Sequence, residues 1–320
     1  MVLCIVVARD PHAADGGRMS YSLKFLCALI LGGAMAASAL HGQEINPTHQ
    51  RLVAAFDMEN AGKPQQAIAA AEALIGSRAL ARFDQVQALD LEGISYGDLD
   101  EPEKAVHALE EAAHLLGPQD HQEMAAVLNN MAGIYREWGH SSIAEYLYER
   151  AFQQAEAAAR HGDMARVSSN LAGLALSEKE NRAARNYLRR CDSEAKQATD
   201  LDDDDRGGMA SMHGWLALNE GHARAALEQY RHALELWRRK HGEQHPSTAW
   251  GRLLVGKAEA MAGDRDAGLR NMREGLDRRR PRRERITSTM PSRSWRTRAC
   301  WNGPGTRLRQ RCWNRMRERS

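Results

Sequence analysis

The chain has 320 residues, 43% of them hydrophobic and 27% charged, with a formal net charge of +2. That near-neutral sum conceals a split: residues 278–320 hold 15 Arg and no Lys against Glu284 and Glu318, a balance of +13, which leaves −11 for residues 1–277. The five cysteines exclude a disulfide scaffold, because Cys4 and Cys27 lie near the start, Cys300 and Cys312 near the end, and only Cys191 in the body; stability must come from packed elements.

The first 39 residues read as a leader. Lys24 precedes the apolar run FLCALILGGAMAASAL, which closes on Ala37, Ser38 and Ala39, the pattern of a secretory signal peptide cut after Ala39 and translated from Met19. The run is short and glycine-rich for a membrane span, which needs about 20 residues. A retained signal anchor is the alternative. Residues 1–18 then read as an extension ahead of the true start. Export to the periplasm or the exterior is the expectation.

From residue 40 to 277 the chain repeats itself. A small residue is followed twelve positions later by another at Ala55/Ala67, Gly93/Ala105, Ala132/Ala144, Ala172/Ala184, Gly214/Ala226 and Gly256/Gly268, with successive offsets of 38, 39, 40, 42 and 42 residues. A period in this range marks helix pairs that bury their apolar faces only by stacking. In the third unit Leu128, Met131, Ala132 and Tyr135 share one helical face, Gly139 closes the first helix, and the second helix opens near Ser141 or Ser142 with Ala144, Tyr148 and Ala151 on one face. Cys191 stands where the repeat calls for a small alanine and reads as a buried apolar residue.

These residues resemble the tetratricopeptide repeat family. Unit three matches its signature at Leu128, Ala132, Tyr135, Ala144, Tyr148 and Ala151, and unit two at Leu89, Gly93, Tyr96, Ala105, Leu109 and Ala112, followed by Gly117 and Pro118. The segments VLNNMAGIYREWG and KHGEQHPSTA are similar to the longer, kinesin-light-chain-like variety, with repeats of about forty residues. Ser168, Ala175 and Cys191 in unit four, and Gly268 and Gly275 in unit six, depart from the pattern. The resemblance covers roughly residues 48–277 and implies an all-α, right-handed superhelix of about six hairpins. HEAT or armadillo arrays are the nearest rival folds.

Residues 278–320 lack helical periodicity and combine Arg with Trp, Cys, Pro and Ser. Two readings stand: a reading-frame shift near codons 276–285, or a basic tail that contacts nucleic acid or an anionic surface, with Trp295, Trp301 and Trp313 available for stacking.

Catalytic and metal motifs are sparse. His107, His114 and His121 are seven apart, but Gly117 and Pro118 interrupt the helix, so they read as surface histidines. His241 and His245 have the i, i+4 spacing of a metal pair, yet Gly242 and Pro246 place them in a turn. Asp200 and Asp202 to Asp205 lack the Gly and Glu of a calcium loop and read as a solvated turn capping a helix after Gly207 and Gly208. No phosphate-binding or nucleophile-elbow motif occurs, and no cofactor, metal or catalysis is expected.

In the resembled family the first helix of each hairpin lines an inner groove through its second, fifth, sixth, ninth and twelfth positions. This places Asn129, Asn130 and Arg136 of unit three, Arg166 and Asn170 of unit four, Trp215 of unit five and Trp250 of unit six on the wall. Asn130 and Asn170 would bond a ligand's main chain, Arg136 and Arg166 would clamp a carboxylate, and either Trp would anchor an apolar group; for Asn130 the alternative is a bond to a neighbouring helix, and for Trp215 a place in the core. The expectation is a non-catalytic scaffold that binds a protein or peptide, not a small-molecule substrate or nucleic acid, and touches a membrane only if the leader is uncleaved. The rival is a non-exported array whose basic tail contacts nucleic acid or an anionic membrane; an enzyme with a site assembled from distant helices is a third.

Overall fold

The computed structural model describes residues 47–77 and 80–279. The leader, its cleavage site and the segment after residue 279 lie outside the described residues, as do Cys300, Cys312 and the three tail tryptophans. The described residues form twelve α-helices and no strand: α1 (Pro47–Asn60), α2 (Pro64–Gly76), α3 (Arg82–Asp98), α4 (Pro102–His114), α5 (His121–Trp138), α6 (Ser141–Ala157), α7 (His161–Ser177), α8 (Asn181–Gln197), α9 (Asp203–Asn219), α10 (Ala223–His241), α11 (Pro246–Met261) and α12 (Arg265–Arg279). Consecutive helices pair into six hairpins, and each hairpin packs on the next through its second helix. The first helices also touch one another from α1 to α3, α5, α7 and α9. The described helices form a solenoid.

Small residues make the crossings possible. Ala55, Ala67, Ala105, Ala132, Ala144, Ala172, Ala184 and Ala226 are all fully buried. Where glycine replaces alanine the approach is closer: a Cβ on Gly93 would lie 2.5 Å from Leu109 Cγ, one on Gly214 2.6 Å from Tyr230 Cε1, and one on Gly256 2.6 Å from the carbonyl oxygen of Gly268. Tyr148 and Tyr230 fill the space that the small residues leave, and both are buried. Cys191 joins Ala165, Leu201 and Met209 in the apolar seam between units four and five.

The turn inside each hairpin follows the same register. The seventh residue after each small crossing residue has a positive φ: Gly62, Asp100, Gly139, Lys179, Gly221 and Gly263. Glycine takes this left-handed conformation without steric cost, so units two and four carry it at a disadvantage. In unit three the Gly139 amide donates to Arg136 O and the His140 amide to Tyr135 O, closing α5. The start of α6 differs from expectation. Its N-cap is His140, without a side-chain capping bond, and Ser141 and Ser142 fall within the first turn.

The repeat is also visible in the polar bonds between hairpins, which join residues about one period apart. Arg82 pairs with Asp120 at a sequence separation of 38, Arg160 with Asp200 at 40, Asn130 with Asp90 at 40, Asn170 with Asn129 at 41 and Lys240 with Asp202 at 38. Apolar contacts share the register. Leu234 of α10 lies against Gly251 of α11; its counterpart in the last hairpin, Leu276, is exposed, as is Leu269.

Candidate functional site

The inner positions of α3, α5 and α7 carry a continuous polar line. Asn130 is 0% exposed, and its amide nitrogen donates to both carboxylate oxygens of Asp90, at 2.7 and 2.9 Å. Asn129 donates to the Asn130 oxygen at 3.4 Å and accepts from the Asn170 amide at 2.8 Å. Three successive first helices are thus joined as Asp90, Asn130, Asn129 and Asn170, with every member buried. Burial pushes the Asp90 carboxyl up to about 6, the Asn130 bond opposing it. One turn earlier on α3, Gln87 shares the Asp90 face, and its buried Oε1 receives no hydrogen bond.

The expected wall residues have diverse surroundings. Asn130 bonds a neighbouring helix, as the alternative reading had it, while Asn129 and Asn170 bond each other. Arg166 is spent inside the fold instead of standing ready as a clamp: Nε and Nη2 make a bidentate pair with Asp205 at 2.9 and 3.0 Å, Nη1 donates to Asp163 at 2.6 Å and Nη2 to Asp200 O at 3.0 Å. Arg136 is buried, with Nη2 3.8 Å from Glu137 Oε1. Trp215 lies in the apolar cluster of Ala172, Leu176, Leu188, Met212 and Leu216, and Trp250 in that of Ala210, Ala233 and Trp237. Both indoles serve the spine.

The acidic run is not a solvated turn. The helix begins at Asp203, ahead of Gly207 and Gly208, and Asp202 caps it by accepting from the amides of Asp204 at 2.8 Å and Asp205 at 3.1 Å, while Asp205 accepts from the Asp202 amide. Asp204 and Asp205 are buried. Arg166 holds Asp205, Lys240 and His241 hold Asp204 at 2.9 and 2.6 Å, and Arg239 holds Asp203. The cations lie one repeat before or after, which is why the run looked solvated in isolation. His241 ends α10, His245 caps α11, and their rings stack at 4.0 Å. His107 and His114 are exposed, whereas His121 is partly buried and bonds Gln154 at 2.7 Å. Among the described residues no group of three or more His, Cys, Asp or Glu side chains is placed to hold a metal ion, and no helix is long and apolar enough to cross a membrane.

No family model and no curated protein matches the sequence. Solved structures do match the fold. BtubC (BKLC) from P. vanneervenii superposes with a TM-score of 0.51 at 16% identity over 78% of this chain and 100% of its own. The quorum sensor NprR, known from B. thuringiensis, gives 0.56 at 11% identity in its complex with the cognate peptide NprX, over 77% of this chain and 73% of NprR. A chain of the Cut9-Hcn1 hetero-tetramer gives 0.55 at 14% identity over 76% of this chain and 42% of its own. The described helices therefore form a tetratricopeptide-type solenoid.

Proposed function

We propose that this tetratricopeptide-type array is a non-catalytic scaffold that holds an extended segment of a partner protein along its first helices. The observation that carries the reading is the polar line through Asp90, Asn130, Asn129 and Asn170. Small and apolar residues make the helix crossings themselves. Burying a carboxylate and three carboxamides costs desolvation that packing alone does not require. Amides both donate and accept, which suits the main chain of an extended peptide. In this reading Asn129 and Asn170 contact the segment, and Asn130 is fixed by Asp90 as their support. NprR, of the same fold, has been solved with a peptide, which supports a peptide-sized ligand.

The test is selection of phage-displayed random peptides on the full chain, followed by affinity measurement on a double variant, Asn129→Leu with Asn170→Leu. Leucine keeps the volume and removes the bonding groups. Selected peptides should lose binding while the melting temperature is held or raised. Equal affinity for the variant, or no selectable peptide, refutes the reading. We further propose export through the leader that begins at Met19; a mature protein starting at Leu40 in the cell envelope is the expected product, and an intact leader in the cytoplasmic fraction would refute it.

A further inference from the structure

Within the proposed partner-binding face, and resting on that reading, one position has chemistry more specific than main-chain recognition. Gln87 and Asp90 lie three residues apart on α3, on one face and at inner positions of the second repeat. Gln87 is 8% exposed and Asp90 4%. The Gln87 Oε1 receives no hydrogen bond from any described residue. Among the described residues Asp90 receives side-chain bonds from Asn130 alone, and each carboxylate oxygen has a further lone pair to offer. No described cation of a neighbouring hairpin pairs with this carboxylate, in contrast with Asp205, which Arg166 neutralises.

We propose that Gln87 and Asp90 form a subsite for a basic side chain of the partner segment, which donates to the Gln87 oxygen and to the Asp90 carboxylate together. The two groups left short of partners, the buried Gln87 oxygen and the Asp90 carboxylate, are both acceptors, so an N–H-rich group satisfies them and a carboxylate does not. A guanidinium fits best, since its planar fork reaches two acceptors at once. The orphaned amide oxygen is a cost to the empty fold that such a ligand removes. The elevated titration of Asp90 fits the same picture: burial takes the carboxylate out of water, and the Asn130 bond offsets only part of that.

The experiment uses peptides selected on the full chain. Each peptide with an arginine or lysine at a recurring position is resynthesised with citrulline there, an uncharged analogue of arginine, and binding is read by fluorescence anisotropy. The basic peptide should bind the wild-type chain about tenfold or more tightly than its citrulline partner, the range for a hydrogen-bonded charge. Asp90→Asn, which keeps an acceptor for Asn130, should erase that difference. Gln87→Met, close to isosteric and free of the orphaned oxygen, should shrink it while holding or raising the melting temperature. Selected peptides without a recurring basic residue, or a difference that survives both substitutions, overturn the subsite and leave main-chain recognition standing. Failure to select any peptide overturns both.

Discussion

Replacing Asp90 by asparagine should change the stability of the array in a pH-dependent way whose size follows from burial. Folding lifts this carboxyl from 3.8 to about 6, so the folded state disfavours its ionised form. The sign is the reverse of an ion-paired aspartate: the group costs stability above the folded value, and the cost disappears as pH falls below the unfolded one. A rise of that size corresponds to about 3 kcal/mol at pH 8, falling to about 1 kcal/mol at pH 4.5 by linkage. Asparagine has no such charge. It does introduce an amide N–H that needs a partner, but that cost is the same at both pH values. The stability difference between Asp90→Asn and wild type should therefore be about 2 kcal/mol larger in favour of the variant at pH 8 than at pH 4.5. Urea denaturation followed by far-ultraviolet circular dichroism at the two pH values measures it. A difference independent of pH, or one that moves the other way, would show that Asp90 is solvated or charge-paired in the folded protein.

Other expected outcomes rest on separate features. Lys179→Gly should raise stability by about 1 kcal/mol because a left-handed residue with a side chain is relieved, whereas Gly139→Ala should lower it by a similar amount; urea midpoints distinguish the two. Gly256→Ala places a methyl group against the Gly268 carbonyl and should cost about 1–3 kcal/mol, seen first as loss of amide protection in α11 and α12. Arg166→Met leaves buried Asp205 without its cation and should cost about 3–5 kcal/mol, measurable as a lowered denaturation midpoint.

The spacing of small residues contains most of the fold, because a helix crossing at close range tolerates little else: Ala132 and Ala144 are legible as packing residues from their separation alone. The polar seam is harder to read. Asn130 gives no sign that its partner is Asp90, and Arg166 looks free until Asp205 is brought beside it. Both pairs are separated by about one period, so setting the units in register would have exposed them; reading each helix as an isolated face does not. The aspartates around Asp202 mislead for the same reason, since their cations belong to adjacent hairpins. Gln87 carries no signal in one dimension, because an orphaned acceptor is defined by what the fold fails to bring to it.

The two ends of the described array are chemically unlike. Helix α1 exposes Gln50, Arg51, Ala54 and Asp57, while α12 exposes two large apolar residues, Leu269 and Leu276, among charged ones such as Arg270, Arg273 and Glu274. Leu276 holds the place from which Leu234 meets the glycine of the following helix. A grafted module patterned on α11 and α12 would therefore have its register set in advance, its first helix placing a glycine against Leu276 as Gly251 lies against Leu234.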